Sequence, residues 1–389
     1  MGPSLRLPSG FERAPEVLAF GGELKAAFCL TKGAEVLLSQ TRGDLEDADV
    51  YDAFRRDLAE HEDHAPKALV ADRHPEYLSS KLARSRAHDE SLPLIEVQHH
   101  HAHVAACLAD NGRPLGAPPV LGIVLDGLGW GDDGTIWGGE FLLADYRHAE
   151  RLATLKPVAM LGGNQASREP WRNLYAHLMA GMGWAEFAMN FAELELYRYL
   201  ERKPRAILDV MLRNGVNAPL ASSCGRLFDA LAAAVGICRD RQAFEAEAAC
   251  QLEAMVDERT LREEDDSLAY PFSIPNLRGS GLPYLEPLAM WRAVLGDLVL
   301  STPVPVIAAR FHKGLARALV AMALKHGARY DTVALSGGCF HNKVLFAQTR
   351  ERLERAGFRV LTHQQVPPSD GGLALGQAAI GAAQLMETA

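Results

Sequence analysis

The sequence lacks the marks of several protein classes. None of its six cysteines stands in a CxxC pair, which excludes a zinc ribbon or a thioredoxin-like motif. No apolar run approaches the roughly 18 residues that a membrane span needs. The opening MGPSLRLPSG has neither the apolar core nor the basic pattern of an export signal. We therefore expect a cytoplasmic protein, not bound to membranes, with reduced and mostly buried thiols.

Positive charge is also scarce. The chain has 40 Lys and Arg against 49 Asp and Glu, a formal net charge of −9. We therefore expect no broad surface for nucleic acid. The composition, 48% hydrophobic and 23% charged, is that of a globular protein. Because 389 residues exceed the usual size of one compact core, we expect two lobes.

The hydrophobic pattern predicts two α/β halves. After a lead-in over 1–15, three short strands with Gly-containing turns precede alternating helices and strands, and together these form a first lobe over 16–118. The strand pattern restarts at 120, so we expect a second lobe over 119–370 and a C-terminal helix over 371–389. Such a pair of lobes closes around a cleft, where ligands usually bind.

The second lobe is predicted to carry a long insertion. Three strand candidates lie within 120–159, and a helical region then extends from about Arg168 to Asp257. The acidic and then Pro- and Gly-rich segment 262–283 predicts a loop. Helices resume over 285–326, and strands follow at 331–338 and 358–362.

Four histidines within five positions form the sharpest local feature. In Gln98-His-His-His-Ala-His103, the histidines at 99 and 103 share one helix face and can chelate one metal ion. His100 and His103 form a rival pair, and a polar helix start or histidines satisfied by core hydrogen bonds are alternatives. A metal usually needs a third ligand, for which the candidates are Asp370, His341, His363 and His312.

Glycine-rich turns follow predicted strands in both halves. In LDGLGWGDDGTIWGGE (125–140), glycines such as Gly127 let backbone amides approach phosphate, and Asp126 or the Asp132–Asp133 pair can position magnesium or a hydroxyl. In VALSGGCFHNKVL (333–345), a strand, a turn and a helix offer free amides to an anion. A plain hairpin and a plain strand-to-helix turn are the alternatives. Two such turns fit a nucleotide held between the lobes.

Three cationic residues are weaker candidates. Arg168 and Arg172 flank a Pro-Trp helix start and can bind a carboxylate or a phosphate, although a solvated pair explains them equally well. Lys25 lies between two predicted strands and can meet a phosphate, although an exposed lysine is the commoner case.

In combination these runs resemble a known family. The runs are GELKAAFCLTKG, LSQTRGDLED, VQHHHAH, DGLGWGDDGTIWGGEF, GGNQASREPWR, GRLFDALAAAVGIC, ARFHKGLA, ALSGGCFHNKVL and VPPSDGGLALGQA. Over 16–386, they resemble in order the C-terminal, TsaD-like part of HypF, the carbamoyltransferase family of nickel–iron hydrogenase maturation. The resemblance implies the α/β, duplicated two-lobed actin-like ATPase (ASKHA) fold. Full-length members also carry an acylphosphatase domain, Cys-rich zinc modules and a YrdC-like domain, and the missing CxxC pairs predict that the zinc modules are absent here.

The resemblance also implies a site. Iron or zinc is expected at His99, His103 and Asp370, and ATP, with magnesium as a further possible ion, is expected along a second group of residues. That group is Asp126, Gly127, Asp229, Gly337, Gly338 and Asn342. Lys25, Arg168 and Arg172 are expected to assist catalysis. The chain departs from the family pattern at Ala26, Ala27, Asn164, Ala246, Glu247 and His341.

The implied reaction is carbamoyl transfer. Carbamoyl phosphate and ATP give carbamoyl-adenylate, whose carbamoyl group passes to the C-terminal cysteine of the partner HypE for synthesis of the cyanide ligands. A separate YrdC-like domain or protein is a further expected partner. The alternatives are a TsaD-type tRNA threonylcarbamoyl transferase and a non-catalytic subunit that binds nucleotide and metal.

Overall fold

The fold is organised by two β-sheets, one from each half of the chain. The protein is described by a computed structural model that covers residues 5–61 and 63–388, with the backbone alone at residue 388. The first sheet has the strand order β1-β4-β3-β2-β5-β6. Its strands are β1 (Leu5–Arg6), β2 (Val17–Ala19), β3 (Cys29–Lys32), β4 (Glu35–Leu38), β5 (Ala68–Asp72) and β6 (Leu94–Val97). The antiparallel β2-β3-β4 meander agrees with the sequence pattern, while β2, β5 and β6 are parallel.

Three helices belong to the first half: α1 (Ala48–Ala59), α2 (Leu78–Asp89) and α3 (His99–Asp110). The side chain of Asp47 caps α1, which buries Phe54 and Leu58. These residues pack with α2 on one face of the sheet, in a core that includes Phe20 and Phe28. Helix α3 lies on the other face, and all of its twelve residues are buried.

The second sheet has eight strands in the path β10-β11-β8-β7-β13-β14, with β9 paired to both β8 and β12. Its strands are β7 (Val120–Trp130), β8 (Ile136–Ala144), β9 (Ala149–Leu155), β10 (Val158–Ala159), β11 (Leu220–Ala221), β12 (Tyr284–Leu285), β13 (Thr332–Ser336) and β14 (Arg359–Leu361). Strands β7 and β8 form a long hairpin, and β13 runs parallel to β7.

Helices make up most of the rest of the second half. They are α4 (Asn164–Arg168), α5 (Pro170–Gly181), α6 (Gly183–Phe191), α7 (Glu195–Glu201), α8 (Arg205–Asn214), α9 (Cys224–Ala234), α10 (Glu247–Ala254), α11 (Glu258–Glu263), α12 (Leu288–Val299), α13 (Val304–Lys325), α14 (Lys343–Arg355) and α15 (Leu373–Thr388). Within the residues that the structure covers, no helix combines the length and apolar character needed to cross a bilayer.

Helix α3 is enclosed by both halves of the chain. It packs against α15 on one side and against β7 and β13 on the other. Two glycines permit this close approach: a Cβ on Gly376 of α15 would lie 1.8 Å from the Ala102 carbonyl, and a Cβ on Gly122 of β7 would lie 2.2 Å from Val104. The histidine-rich helix is therefore fixed between the two sheets.

Several expected boundaries differ from the structure. Strand β1 pairs with β4, so the lead-in contributes to the first sheet, although its residues 1–4 lie outside the described residues. The second strand of the meander is short and begins at Cys29. The long helical region is broken into short helices around β11, and Gly215, with a φ of 66°, ends α8. Helix α15 packs on α3 and the first sheet, and residue 389 is not described. The domain boundaries stay a prediction.

Candidate metal and nucleotide site

Four side chains converge where the halves of the chain meet. One ligand atom from each of His99, His103, Asp126 and Asp370 lies within 4.8 Å of the others, and the described residues contain no second group of this kind. Nε2 of His99 lies 3.4 Å from Asp126 Oδ2 and 3.7 Å from Asp370 Oδ1. Nε2 of His103 lies 3.6 Å and 3.5 Å from the same two oxygens. We call these four residues the His/Asp cluster.

The spacing of the two histidines follows from helix α3. The Gln98 side chain accepts a hydrogen bond from the His101 backbone amide at 2.8 Å and caps the first turn. Because this cap starts the helix at His99, His99 and His103 lie one turn apart on the same face.

The two carboxylates arrive from the second half of the chain. Asp126 lies on β7, where the register with β8 shifts after Leu125, and Asp370 begins a short 3-10 turn before α15. A Cβ on Gly129 would lie 2.7 Å from the His99 ring, so glycine at this position lets β7 approach the histidines. Backbone irregularity therefore brings both carboxylates to one point.

The histidines and carboxylates of the cluster shift one another's pKa values. Burial alone would lower the pKa of His99, but the carboxylates of Asp72, Asp126 and Asp370 outweigh burial and raise it well above its usual value. The pKa of His103 is raised against burial by Asp126 and Asp370. Burial would raise the pKa of Asp126, yet the two imidazoles hold it well below its usual range. The arrangement therefore favours a bound cation, whether protons or a metal ion.

The intervening histidines have other partners. His101 donates from Nε2 to the Asp145 carbonyl at 2.6 Å, away from the cluster. His100 lies beside the Gln98 carboxamide, whose nitrogen is 3.2 Å from its Nδ1. Burial lowers the pKa of both rings.

Asp370 is the one candidate third ligand that the structure brings to the cluster. The three histidines considered beside it have different neighbours. His341 faces Ser369 at 3.1 Å, His363 faces Ser336 at 2.8 Å, and His312 faces Asn342 at 2.9 Å.

The donor set fits a divalent metal ion. Nε2 of His103 is buried and has no hydrogen-bond partner in the described part of the chain, although it points at two carboxylates. Two imidazoles and two carboxylates suit zinc or iron equally. Asp126, which the sequence placed with the nucleotide, is therefore a candidate metal ligand as well.

A cavity of about 320 Å³ adjoins the cluster. Its lining combines Lys25 of the first half with residues of β7, α9, α10 and the turn after β13. The lining residues are Lys25, Asp126, Gly127, Gly225, Arg226, Phe228, Asp229, Glu245, Ala246, Ala249, Cys250, Glu253, Gly338, Cys339, His341 and Asn342. All of the expected nucleotide ligands except Gly337 line this cavity.

Asp229 lines the cavity and has one carboxylate oxygen without a hydrogen-bond partner among the described residues. Its Oδ2 accepts a hydrogen bond from Arg226 Nε at 2.7 Å, while its Oδ1 is buried without a partner among the described residues. Burial raises the pKa of Asp229, although the Arg226 guanidinium opposes this effect. Arg226 also donates to Ser167 Oγ at 2.8 Å, and its side chain is 9% exposed.

The glycine turn after β13 is shaped by close contacts. Gly337 has a φ of 96°, and a Cβ there would lie 2.3 Å from the Leu125 carbonyl. The Gly338 amide donates to Asp126 Oδ1 at 3.0 Å and so supports the His/Asp cluster. A Cβ on Gly127 would meet nothing within 4 Å, so at Gly127 the cavity has room for a ligand.

Asn342 lines the cavity but has partners of its own. Its Oδ1 accepts from the Leu345 amide at 2.8 Å and caps α14, and its Nδ2 donates to His312 Nε2 at 2.9 Å. Its carboxamide therefore shapes the wall through contacts that exist without a ligand.

Lys25 reaches the cavity from the first half of the chain. Its Nζ lies 3.1 Å from Glu245 Oε2, with both side chains about half exposed. Burial lowers the pKa of Lys25, but the facing Glu245 carboxylate outweighs this and raises it. An ammonium group therefore stands at the cavity mouth.

Arg168 and Arg172 lie outside the cavity lining. Arg168 is exposed, and Arg172 donates from Nε to Glu169 at 2.5 Å and covers the Trp171 ring at 4.8 Å. Arg226 is instead the arginine that lines the cavity.

The acidic pair of the hairpin turn serves other contacts. Asp132 pairs with Arg73 at 2.5 Å, and Asp133 accepts from Thr135, Trp137 and Arg151. The magnesium role considered for these two aspartates has no support in these contacts.

Two residues of this region had no role in the sequence analysis. Asp72 forms a hydrogen bond with His99. Its position at the end of a buried strand, where functional side chains often lie, could have identified it from the sequence. Arg226 belongs to the same short run as Asp229, and its i, i+3 spacing on a helix was the available signal.

Known proteins match the chain along most of its length. The HypF Kae1-like domain model matches residues 12–110, and a second model, described as carbamoyltransferase, Kae1-like domain, second subdomain, matches residues 122–377. The chain belongs to the HypF carbamoyltransferase family. A carbamoyltransferase HypF of Rhodobacter capsulatus is 42% identical over 98% of this chain and 49% of its own length. A carbamoyltransferase HypF homolog of Cupriavidus necator is 37% identical over 97% of this chain and 94% of its own length.

Solved HypF structures share the fold. Full-length HypF in its phosphate- and nucleotide-bound form matches with a TM-score of 0.87 and 30% identity, over 98% of this chain and 48% of that one. HypF of T. kodakarensis matches with a TM-score of 0.84 and 29% identity, over 99% of this chain and 49% of that one. The expected α/β, two-lobed actin-like fold is confirmed. The chain spans about half the length of both solved proteins and of the R. capsulatus relative.

Proposed function

We propose that this chain carries out the carbamoyl-transfer step of nickel–iron hydrogenase maturation, with carbamoyl-adenylate as the donor. The observation that carries this proposal is the position of Asp126. Its Oδ2 faces His99 and His103, while the same residue lines the adjoining cavity. A nucleotide in the cavity would therefore have one end beside the His/Asp cluster. Membership of the HypF family and the nucleotide-bound HypF neighbour support the same ligand class.

The wall residues suit an adenylate. The free Oδ1 of Asp229 can accept a hydrogen bond from a sugar hydroxyl, and the open face of Gly127 lets a ligand approach the backbone. The Lys25 ammonium at the mouth can neutralise a phosphate. Zinc or iron held by His99, His103, Asp126 and Asp370 would supply Lewis acidity for the charge that develops in the transfer.

The transfer itself breaks a mixed anhydride. The thiolate of the acceptor cysteine attacks the carbamoyl carbon, a C–S bond forms, the C–O bond to the phosphate breaks, and AMP leaves. We propose that the acceptor is the C-terminal cysteine of HypE. Carbamoyl phosphate and ATP would supply the adenylate, and a YrdC-like domain or protein is the proposed source where this chain does not make it.

Turnover with defined acceptors tests the proposal. Purified chain is mixed with carbamoyl-adenylate and either HypE or HypE without its terminal cysteine, and in a further reaction with threonylcarbamoyl-adenylate and unmodified tRNA. AMP release and a carbamoyl mass shift on intact HypE alone are expected. Transfer to tRNA would instead indicate the TsaD-type reaction, and binding without turnover would indicate a non-catalytic subunit. Either result would overturn the proposed function.

A further inference from the structure

Asp72 is a buried carboxylate whose two oxygens have different partners. It ends strand β5 and is fully buried. Its Oδ2 lies 2.7 Å from His99 Nδ1, and its Oδ1 accepts a hydrogen bond from the His74 backbone amide at 2.8 Å. Because both oxygens are engaged, the carboxylate has one orientation and aims one oxygen at the imidazole.

This contact determines which nitrogen of His99 faces the cluster. A carboxylate can only accept, so His99 must carry hydrogen on Nδ1. The Nε2 atom is then the one available to a metal, and it is Nε2 that lies 3.4 Å from Asp126. A carboxylate behind a metal-bound imidazole also raises the basicity of the ligand nitrogen.

We propose that Asp72 is a positioning residue of the metal centre: it holds His99 with Nδ1 protonated and Nε2 directed at the His/Asp cluster. The proposal rests on the metal site of the proposed function. A purely structural role, in which Asp72 only ties the chain at residue 74, is the competing explanation. The two differ in what happens to the His99 ring.

The Asp72→Asn variant separates them with little change of shape. If the Asn oxygen keeps the His74 amide, its NH₂ group faces His99 Nδ1 and requires that nitrogen to be an acceptor. The hydrogen of the neutral ring then moves to Nε2, where it opposes metal binding. The Asp72→Ala variant removes the contact altogether.

Zinc affinity is the first measurement, made by competition with a chromophoric chelator on the full chain. Outer-shell partners of metal-bound histidines are typically worth about 10- to 100-fold in affinity, and we expect a loss of this size for both variants. Asp297→Asn is the matched control, because Asp297 is also a buried aspartate, bonded to Tyr270 and Arg310 in the second half of the chain. It should leave zinc affinity unchanged.

Nitrogen NMR of histidine-labelled, zinc-loaded protein is the second measurement. In the wild type we expect His99 with zinc on Nε2 and hydrogen on Nδ1, and in Asp72→Asn a loss of this pattern, with His101 unchanged. Wild-type zinc affinity in both Asp72 variants, or zinc on Nδ1 of His99 in the wild type, would overturn the role of Asp72 alone. Failure of the wild type to bind zinc or ferrous iron would overturn the metal site and, with it, this role.

Discussion

Buried histidines in the His/Asp cluster and behind the cavity wall have pKa values shifted in opposite directions. In the His/Asp cluster, carboxylates outweigh burial and raise the pKa of His99 and His103. Behind the cavity wall, burial lowers the pKa of His312 to about 4, since its partners are the Ala308 carbonyl and the Asn342 amide. Burial alone therefore does not decide the charge of a histidine, whereas a facing carboxylate does.

The difference separates two kinds of surface. The cluster gathers two carboxylates around two imidazoles and so is built for positive charge, supplied by protons or by a metal ion. The cavity wall is built from groups that already bond to one another, as Asn342 does with His312 and Arg226 does with Asp229. The wall should accordingly tolerate single changes better than the cluster does.

The largest expected effect is loss of metal from the cluster. His103→Ala removes a ligand and should weaken zinc binding by more than about 100-fold, because outer-shell partners alone account for about 10- to 100-fold. Metal content of the purified variant measures this. His101→Ala is the control, since His101 bonds to the Asp145 carbonyl away from the cluster, and it should keep wild-type metal. Equal metal content in His103→Ala and the wild type would contradict the cluster assignment.

Acidification should lower the stability of the protein through His312, which is buried and neutral in the folded state. In the unfolded chain His312 takes up a proton near its ordinary pKa, but in the folded protein only near pH 4, so the unfolded state binds more protons in between. Its contribution to stability is fully present above pH 6.5 and is lost as the pH falls toward 4.

The His312→Gln variant measures this loss. Between pH 6 and 5, the free energy of unfolding should fall with decreasing pH more steeply in the wild type than in His312→Gln, by about 1.4 kcal/mol per pH unit. Urea denaturation at each pH measures both slopes. Slopes are compared, since the substitution also changes packing. Parallel slopes for His312→Gln and the wild type would show that His312 is not buried neutral.

The proposed contact between Asp229 and a nucleotide sugar should have a smaller effect. Asp229→Asn keeps the size of the side chain but removes the charge that strengthens a hydrogen bond to a hydroxyl, so ATP should bind about 10-fold more weakly by calorimetry. Glu253→Gln is the control on the same wall, where Glu253 accepts the Lys343 amide. An equal affinity of both variants would remove the sugar role from Asp229.

The sequence predicted the helical part of the site because it is local. His99 and His103 are four residues apart, and a helix converts that spacing into one face. Asp72 and Asp126 were harder, since each meets His99 across 27 residues and through tertiary packing. The pattern located Asp126 beside a glycine turn, but only the shifted register of β7 and β8 shows that it also faces the histidines.

The order of strands and helices was predicted from the sequence, but the points at which the long helical region is interrupted were not. Short apolar runs separated by Gly-containing turns predicted the meander of the first sheet. Arg168 and Arg172 were expected to assist catalysis from their place at a helix start and from the family resemblance, whereas Arg226 of α9, which is buried, lines the cavity. Charge in a sequence does not reveal which face a helix buries.

The smallest expected effect concerns the backbone of the cavity wall. Ala246 precedes α10 with a φ of 62°, a conformation that costs a residue with a Cβ about 1–2 kcal/mol. Ala246→Gly relieves this strain, partly offset by the greater freedom of glycine in the unfolded chain, so the free energy of unfolding should rise by about 0.5–1 kcal/mol. Ala249→Gly is the control, because Ala249 lines the same cavity but lies within the helix, where glycine should destabilise by about 1 kcal/mol. Opposite signs for the two substitutions in urea denaturation would show that Ala246 is strained, and equal destabilisation would show that it is not.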